Sequence, residues 1–480
     1  MDCPTLNLKP IALQVVQSHG FDPEFSPEIL AQVDSLPNAL PADKKEDLRH
    51  LLWSSIDNVG SRDLDQAEYA ERLNETTIRL LVAISDVDSR IPSRTPADDH
   101  ARLNTTSLYT GTGVFPMLPE RISNDLSSLI FNEERRVMVI EVHVSESEAP
   151  KAFGIYPALI RNHAALNYSE VGDWMAEQSK IPAFARVPGL LEQLHLQQRA
   201  GDILASWAAK TGLISLSGVE SRRISPETTE EPNLLQLNVA RNMIQQFMVA
   251  ANTAMAEFLE ANGCPVILRA VRTPLRWDRI REIAQLRQFS LPVEPSAQSL
   301  TLFLSREKSL NPTGYPELAL TVLKLLGKGE YFMQTANDPV GIFGVGVQDY
   351  THSTAPNRRF VDLVTQRVLK AFVEARPIPY GAEELREIAN HCTERENAAR
   401  KVERTLRKVV AAFYLRCRLG ETFRGIVTGS SEKGVYVRLQ RSEAEGKIVR
   451  NEQGLDVGDR IEVRLLRVDV EHGFIDFERV

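Results

Sequence analysis

The sequence predicts an α+β protein in which a mixed body of strands and helices is followed by a small all-β domain. Three observations lead to this fold class. Arg136–Val144 alternates apolar and polar side chains as a strand does. Leu237–Asn262 has apolar residues at helical spacing and contains neither Gly nor Pro. The segment Glu421–Val480 instead consists of short β-rich runs separated by glycines.

Length and composition limit the class of protein. A chain of 480 residues is too long for one core, and we expect two to four domains. Its hydrophobic fraction of 43% and charged fraction of 25% are ordinary for a soluble globular protein. No apolar run approaches the ~20 residues that span a bilayer, and the N-terminus lacks the pattern of a signal peptide. The four cysteines are far apart, which favours a reduced, cytoplasmic protein without a cysteine metal site.

The chain divides at changes of pattern. Residues 1–47 form a polar lead-in with one possible helix near Pro27–Leu36, and the mixed body spans 48–376. Ser221–Asn233 is polar and contains two prolines, so we interpret it as a surface loop. Residues 377–419 complete the body as a helical linker, and the β-rich domain spans 420–480.

The linker has one strongly amphipathic segment. In Ala382–Arg418, apolar residues recur near helical spacing, with Lys and Arg on the other face, which predicts one or two helices. Gly420 is expected to end them as the residue just after the C-cap.

The β-rich domain has the rhythm of a small barrel. Its predicted strands are separated by glycines at short intervals, and about sixty residues of this kind suit a five-stranded OB-type barrel. The predicted strands are Thr422–Val427, Val435–Leu439, Arg460–Asp469 and Phe474–Phe477.

Three aspartates in one short stretch, Asp57, Asp63 and Asp65, are the strongest candidates for a metal site. Asp57 ends a short β-type run, Asn58–Ser61 has the composition of a turn, and the other two aspartates follow two residues apart. Carboxylates presented from separate backbone points suit octahedral Mg²⁺, which prefers oxygen ligands. An acidic loop facing water has the same pattern, so the spacing alone leaves both interpretations open.

Basic residues are concentrated at three places, although the formal net charge is −8. Net charge does not report how charge is distributed. Each cluster alone is typical of a solvated helix face, whereas the three together favour a basic channel through an acidic body. The clusters are Arg269, Arg272, Arg276, Arg279 and Arg281; Arg358 and Arg359; and the basic residues from Arg400 to Arg418.

An ordered set of motifs resembles the ribonuclease II family, whose catalytic unit is the RNB domain. The resemblance covers roughly Asp47–Phe372, and Phe115–Leu129 is its most specific stretch. The β-rich C-terminal domain resembles the RNA-binding OB module named after ribosomal protein S-one, which usually follows the RNB domain. Family members usually carry two cold-shock OB domains before it, and the lead-in of about 47 residues is too short for one. The other matching motifs are Asp47–Arg49, Ile56–Asp65, Ile84–Val87, Thr106–Tyr109, Phe247–Asn252 and Tyr350–Val364.

The resemblance implies processive hydrolysis of single-stranded RNA from its 3′ end to nucleoside 5′-monophosphates, with Mg²⁺ as cofactor and Mn²⁺ as a possible substitute. It assigns Asp57, Asp63 and Asp65 to the metal, and Asp65 also to the chemistry. Arg358 matches an arginine near the scissile phosphate, where a guanidinium can engage two phosphate oxygens. The family has a fourth aspartate where this chain has Gln66. An amide oxygen can still bind Mg²⁺ but adds no charge, so we expect a weaker second metal.

The resemblance also assigns RNA-binding positions. Tyr109 and Tyr168 match aromatic residues that stack on terminal nucleotides. Gln245 and Gln246 lie where the family often has acidic residues that contact the terminal ribose, and an amide can still accept a hydrogen bond from a 2′-hydroxyl. The remaining candidates are Arg359 beside Arg358, and Tyr436 and Lys433 in the barrel.

Three positions near Arg358 have less specific interpretations. Asp362 either orients one of the two arginines or forms a structural ion pair. His352 has no partner at metal-ligand spacing and is interpreted as structural. Ala355-Pro356-Asn357 replaces a more usual Ser-Pro-Ile, which indicates a differently shaped loop.

Two functions compete. The first is a Mg²⁺-dependent 3′→5′ exoribonuclease, and the second is a catalytically weakened or inactive RNA-binding protein on the same scaffold. Gln66 and the two glutamines favour the second, whereas joint retention of the three aspartates and Arg358 favours the first. We expect single-stranded RNA as partner and no membrane association, and the sequence indicates no protein partner.

Overall fold

The structure, a computed structural model, describes residues 7–38, 46–177, 182–211, 238–271, 273–311, 314–335, 350–431, 434–440, 442 and 444–480. It confirms the α+β fold class. The helices are α1 (Lys9–Ser18), α2 (Pro27–Asp34), α3 (Pro96–Asn104), α4 (Tyr168–Glu177), α5 (Leu190–Thr211), α6 (Val239–Ala261), α7 (Trp277–Leu286), α8 (Ala297–Leu310), α9 (Tyr315–Leu326), α10 (Phe360–Val373) and α11 (Ala382–Leu415). A short π-helix spans Ile122–Leu126 and a 3₁₀ turn spans Ala183–Arg186.

The body is built around one six-stranded mixed sheet in the order β1-β8-β2-β3-β4-β7. The long strand β8 pairs in parallel with β1 and β2 and antiparallel with β7, so it joins the two sides of the sheet. Two short pairs, β5 with β6 and β9 with β10, lie outside it. The strands of the body are β1 (Glu46–Asp47), β2 (Trp53–Asp57), β3 (Gln66–Arg72), β4 (Thr77–Ser85), β5 (Leu108–Thr110), β6 (Gly113–Phe115), β7 (Glu134–Ser145), β8 (Lys151–Asn167), β9 (Val266–Ala270) and β10 (Glu330–Gln334).

The sheet is buried on both faces, as β4 illustrates. Successive side chains of a strand point to opposite faces. On β4, Leu80 and Val82 join the large core in which α5 and α6 take part, whereas Leu81 and Ala83 join a smaller core on the other face with Trp53. Carboxylates on the helix-covered face of β3, the neighbour of β4, are therefore held deep inside the body.

The helices α7, α8 and α9 form a unit with its own core. Trp277, Leu300, Phe303 and Val322 are buried together there, apart from the core of the central sheet. The unit lies between β9 and β10 in the chain, and those two strands pair directly with each other. The unit is therefore an insertion between two adjacent strands.

The lead-in is more structured than expected. The helix predicted near Pro27–Leu36 is present as α2, and α1 is an additional helix with Ala12 and Val16 buried. After α1, Phe21 stacks under the guanidinium of Arg395 on α11, 3.8 Å from the ring centroid. The lead-in therefore packs on the body. The loop predicted at Ser221–Asn233 lies outside the described residues.

The amphipathic linker forms one helix, α11, of 34 residues, and its end corrects a prediction. The helix ends at Leu415, so Gly420 is not its capping glycine. Gly420 has φ of +84° and donates its N–H to the carbonyl of Leu465 at 2.8 Å, which places it at the entrance of the barrel. The glycine instead provides a left-handed turn where the chain enters its first barrel strand.

The C-terminal domain is a closed five-stranded barrel in the order β11-β12-β13-β15-β14. Four of its strands were predicted, and β13 was not. Gly473 allows the barrel to approach α11, because a Cβ atom there would lie 2.9 Å from the backbone nitrogen of Val409. The strands are β11 (Thr422–Ser431), β12 (Gly434–Leu439), β13 (Glu445–Arg450), β14 (Arg460–Asp469) and β15 (Phe474–Arg479).

No helix among the described residues is both long enough and apolar enough to cross a membrane.

Candidate active site

Asp57 ends β2, and one of its carboxylate oxygens is bound by the turn that follows. Oδ1 accepts hydrogen bonds from the backbone N–H of Asn58 at 2.6 Å and the hydroxyl of Ser61 at 3.0 Å. Gly60 has φ of +78°, a left-handed conformation that glycine adopts without strain. The predicted turn is therefore present, and it holds the carboxylate at the end of the strand.

Asp65 is fully buried immediately before β3. Its Oδ1 accepts the backbone N–H of Asn357 at 3.0 Å, and its Oδ2 lies 3.2 Å from Nε of Arg358 in an ion pair. The ion pair lacks hydrogen-bond geometry, and Oδ2 accepts no hydrogen bond from the described residues. Burial raises the pKa of Asp65 to about 7, although Arg358 opposes the shift and Asp63 adds to it.

Arg358 places its guanidinium among the aspartates. Its side chain is 42% exposed, so it contacts Asp65 while keeping access to solvent. Burial acts to lower its pKa, but Tyr109 and the carboxylates of Asp65, Asp57 and Asp63 more than offset this, and its pKa is raised. The structure therefore brings Arg358 and the three predicted aspartates into one electrostatically coupled group.

Arg359 belongs to a separate ion pair. Its Nε and Nη2 donate to the carboxylate of Asp362 at 2.9 and 2.7 Å. Asp362 is fully buried and also accepts the N–H of Ala355 at 2.8 Å. Asp362 thus pairs with Arg359 and not with Arg358, and it also holds the loop that carries Arg358 through the N–H of Ala355. The RNA-binding role of Arg359 stays a prediction.

Asn357 is a site residue whose role the sequence did not indicate. It is fully buried, and its backbone N–H holds Asp65. Its side-chain oxygen accepts from the hydroxyl of Ser127 at 2.6 Å, and its amide nitrogen donates to the hydroxyl of Ser85 at 3.2 Å. The only signal was the departure of the Ala355-Pro356-Asn357 segment from the family pattern.

The motif Phe115–Leu129 supports the loop that carries Asp63. The hydroxyl of Ser128 accepts the N–H of Leu64 at 3.0 Å and donates to the carbonyl of Arg62 at 2.6 Å. The backbone on both sides of Asp63 is therefore anchored to the end of this motif.

Tyr109 lies in the β5–β6 hairpin and faces the aspartates. Its hydroxyl donates a hydrogen bond to Oδ2 of Asp63, and the residue is 36% exposed. Burial of the hydroxyl and the nearby Asp63 raise the pKa of Tyr109, against the effect of Arg358. The phenol therefore stays protonated and keeps donating to Asp63 at neutral pH.

Tyr168 is the first residue of α4 and is partly buried. The guanidinium of Arg241 lies over its ring, 4.4 Å from the centroid. Arg241 also donates to Oδ1 of Asn58 at 2.7 Å, which links α6 to the turn after Asp57. Arg241 was not singled out by the sequence.

The glutamines have two different environments. Gln245 and Gln246 lie on α6 about one turn after Arg241, and both are partly buried. Gln66 is the first residue of β3 and is buried beside Asp65. Their proposed contacts with the metal and with ribose stay predictions.

Glu68, two residues after Gln66 on β3, is a further carboxylate that sequence reasoning missed. It is fully buried, and neither of its oxygens has a hydrogen-bond partner among the described residues. Burial and the nearby Asp57 raise the pKa of Glu68 well above its ordinary value. Its position in an ordinary alternating strand, Gln66–Arg72, gave no signal of this burial.

The aspartates supply the hard oxygen ligands that Mg²⁺ prefers. Oδ2 of Asp65 is buried and lacks a hydrogen-bond donor among the described residues, which fits a cation ligand. Within that same part of the chain, however, no three His, Cys, Asp or Glu side chains lie close enough together to hold a metal ion. The oxygen ligands therefore fit a divalent cation. In this structure, however, Asp65 contacts Arg358 and Asp63 contacts Tyr109.

Two other predicted features have structural partners. In the motif Ile84–Val87, Asp86 forms a buried ion pair with Lys370 at 2.8 Å. His352 is buried and its Nδ1 lies 2.7 Å from the hydroxyl of Tyr331. Burial, Arg359 and Arg269 lower the pKa of His352 well below its ordinary value.

The arginine cluster that begins at Arg269 is largely occupied by acidic partners. Arg269 is buried and pairs with Glu396 at 2.7 Å, and Arg279 pairs with Glu282 at 2.5 Å on the surface of α7. These contacts favour the open alternative of a structural or solvated role over a basic channel for this cluster. Arg272 lies outside the described residues.

The barrel candidates lie on a separate unit. Tyr436 is partly exposed on β12, directly opposite Lys447 of β13. Lys433 lies outside the described residues, so its predicted role has no structural counterpart here.

Comparison with known proteins identifies both parts of the chain. The RNB domain model matches residues 45–375, and the model of the RNase II-type exonuclease C-terminal S1 domain matches residues 421–480. Ribonuclease R of Aquifex aeolicus is 27% identical over 97% of this chain and 70% of its own length. The chain spans 59% to 70% of the length of four such bacterial relatives.

Two solved structures share the fold at lower identity. Mycoplasma genitalium RNase R, solved in complex with ribose-methylated single-stranded RNA, has a TM-score of 0.78 at 21% identity, over 99% of this chain and 78% of that one. Yeast Ssd1, described as a pseudonuclease, has a TM-score of 0.70 at 17% identity, over 92% and 55%. The resemblance found in the sequence is confirmed, and the chain belongs to the RNB-domain ribonuclease family, with an RNase II-type C-terminal S1 domain.

Proposed function

We propose that this chain is a 3′→5′ exoribonuclease that hydrolyses single-stranded RNA processively to nucleoside 5′-monophosphates with Mg²⁺ as cofactor. The observation that carries the proposal is the coupling of Arg358 with Asp57, Asp63 and Asp65 around a buried carboxylate. A purely structural ion pair needs one carboxylate for one guanidinium. The excess of negative charge here suits a site that receives cations and then an anionic phosphodiester.

The cation would be held by Asp57, Asp63 and Asp65, with the amide oxygen of Gln66 as an uncharged addition. Its chemistry, when bound, is to neutralise the reacting phosphodiester and to activate water for attack. Mn²⁺ can substitute for Mg²⁺ because both accept oxygen ligands.

The protein groups have separate tasks. Arg358 keeps part of its guanidinium in solvent and can engage phosphate oxygens, since it stays charged at all working pH values. Asn357 fixes Asp65 through its backbone N–H, so this carboxylate does not have to reorganise during the reaction. Tyr109 donates to Asp63 and holds that carboxylate toward the site.

The terminal nucleotides are expected to meet the tyrosines and the face of α6. We expect a terminal base to stack on the ring of Tyr168, and stacking is tolerant of sequence. Gln245 and Gln246, about one helical turn further along α6, are the candidate partners of the terminal ribose. Single-stranded RNA bound to Mycoplasma genitalium RNase R, which shares this fold, supports RNA as the substrate class.

A second candidate function is an RNA-binding protein without hydrolytic activity. Gln66 favours it, because the position beside Asp65 is buried but carries no charge. The fold of the pseudonuclease Ssd1 is a precedent for such a loss. Retention of Arg358 and the three aspartates in one coupled group favours the enzyme.

The test is incubation of the purified chain with a 5′-labelled single-stranded oligoribonucleotide. With Mg²⁺ we expect progressive shortening from the 3′ end and nucleoside 5′-monophosphates as products, and with EDTA we expect intact RNA. Binding of the same RNA without any shortening in Mg²⁺ or Mn²⁺ would establish the second function instead.

A further inference from the structure

Glu68 lies on the same face of β3 as Gln66, because side chains two residues apart on a strand point the same way. In the β3–β4 pairing these two residues are opposite Ile84 and Val82, whose side chains belong to the large core. Gln66 and Glu68 thus both face the large core, although one is a polar amide and the other a carboxyl group. Side chains that face such a core are usually apolar.

The surroundings of Glu68 include acceptors and a carboxylate but no cation partner that the structure identifies. Ser54 is its neighbour across the β2–β3 ladder, and Gln197 of α5 donates to the backbone carbonyl of Glu68 at 3.3 Å. Oε1 of Gln197 is itself buried without a hydrogen-bond partner in the part of the chain that the structure describes. Asp57, the charged group with a resolved effect on Glu68, has the same sign.

An unpartnered carboxylate in a protein interior is costly, and interiors retain one mainly where a cation or donor meets it. Both oxygens of Glu68 and Oδ2 of Asp65 are buried and unpartnered within the described residues. They lie on the same short segment of chain, and the charge of Asp57 acts on both Glu68 and Arg358. Two buried carboxylates with unpartnered oxygens among the described residues are therefore only three positions apart in the chain.

We propose that Glu68 is a carboxylate of the divalent-cation site, on the side of Asp57, and supplies the negative charge that Gln66 lacks. The inference rests on the proposed function for the identity of the site, but it concerns cation binding rather than hydrolysis. Glu68 would join the aspartates in holding the cation, either directly or through a water molecule. Gln66 then contributes only its amide oxygen.

The test measures Mn²⁺ binding to the full chain without RNA, with free Mn²⁺ detected by electron paramagnetic resonance. The Glu68→Gln variant keeps the size of the side chain and removes its charge. We expect its Mn²⁺ affinity to fall roughly tenfold or more, and Mg²⁺ to compete with Mn²⁺ in the parent. Glu68→Asp, which keeps the charge, should retain more affinity than Glu68→Gln.

A matched control is Glu71→Gln on the same strand. Glu71 pairs with Arg79 at 2.7 Å and is partly exposed, so its loss should leave Mn²⁺ affinity unchanged. The unfolding temperature in EDTA gives an independent readout. Glu68→Gln removes no hydrogen bond of the carboxyl group among the described residues, so the metal-free unfolding temperature should be unchanged or raised, while its increase on adding Mn²⁺ becomes smaller.

Equal Mn²⁺ affinity of Glu68→Gln and the parent would overturn the inference, as would the absence of Mn²⁺ binding by the parent. A lowered metal-free unfolding temperature with unchanged Mn²⁺ affinity would instead make Glu68 a structural group. The two proposals fail separately. If the chain does not hydrolyse RNA but its Mn²⁺ binding depends on Glu68, the cation site stands and the exoribonuclease does not. If Mg²⁺-dependent hydrolysis occurs and Glu68→Gln binds Mn²⁺ normally, the exoribonuclease stands and the role of Glu68 in the cation site does not.

Discussion

Asp65 combines complete burial with a cationic neighbour, Arg358, that remains partly in solvent. The protein keeps this carboxylate in place with the backbone N–H of Asn357 and the guanidinium of Arg358. Neither contact satisfies Oδ2 with a hydrogen bond from the described residues. The residue most closely tied to the proposed chemistry is thus held in position but left electrostatically incomplete, which is typical of functional sites.

Asn357 is predicted to act as a positioning residue. Replacing it with Ala removes the hydrogen bonds to Ser127 and Ser85 and loosens the backbone that holds Asp65. We expect RNA hydrolysis to slow roughly tenfold to a hundredfold because small misplacements of catalytic groups are costly. RNA affinity should change little, and a steady-state comparison of kcat with KM would measure this split. The control is Asn262→Ala, at an exposed position after α6, which should behave as the parent.

His352 gives a pH dependence of folding stability. Its folded-state pKa lies well below the ordinary value of 6.5, so the unfolded chain binds a proton more readily as pH falls. The free energy of unfolding is therefore unaffected by this histidine above pH 6.5. Below pH 6.5 it falls by about 1.4 kcal/mol per pH unit, until the folded-state pKa of His352 is reached. Thermal unfolding at pH 7.5 and 5.5 should show a smaller pH-dependent drop for His352→Gln than for the parent. Equal drops in unfolding temperature would mean that the pKa of His352 is the same in the folded and unfolded states.

At the level of secondary-structure elements, periodicity predicted the regular segments well. The helix predicted at Leu237–Asn262 is α6, and the strand predicted at Arg136–Val144 is β7. Both segments have clear apolar spacing because each element buries at least one of its faces in the protein core. Strand β13 was missed because Glu445–Arg450 is short and mostly polar, and its pairing depends on β12 and β15, which lie apart in sequence.

Tertiary contacts explain what the sequence could not predict about the site. The three aspartates and Arg358 are separated by some 290 positions along the chain, and only the resemblance to a family connected them. Glu68 and Arg241 have no local pattern that marks them, since their environments come from α5, β2 and α4. The division of the chain at 47, 376 and 419 remains a proposal.

The start of α4 is predicted to influence the end product of the reaction. Tyr168→Ala removes the ring that Arg241 covers, and with it a stacking surface worth about 1–3 kcal/mol for one base. That loss matters most when few nucleotides remain bound. We therefore expect the smallest resistant fragment to become longer, as measured on a sequencing gel. Tyr168→Phe keeps the ring and is the control. An unchanged fragment length would place Tyr168 in the core alone.

For the molecule as a whole, we expect the barrel to be a second RNA-contacting unit, because the arginine cluster of the body that begins at Arg269 is partly paired with acidic side chains. The candidate phosphate contacts on β13 are Lys447 and Arg450. Replacing both with Gln should weaken binding of long RNA and reduce the slope of log K against log salt by about 0.7 for each lost contact. Cleavage of very short oligonucleotides should persist. The control is Arg386→Gln, an exposed position on α11 paired with Glu383. Unchanged affinity and salt slope would remove β13 from the RNA path.

The central claim is that the buried Asp65 site hydrolyses RNA from its 3′ end. The most direct measurement compares the parent with Asp65→Asn on a single-stranded RNA labelled at its 3′-terminal nucleotide, with RNA affinity determined in parallel. The parent should release the label as a nucleoside 5′-monophosphate at the first turnover in Mg²⁺ and not in EDTA. Asp65→Asn should bind RNA as tightly and release label at least roughly a hundredfold more slowly. Release at the parental rate from Asp65→Asn, or a label that first appears in longer fragments, would contradict the account.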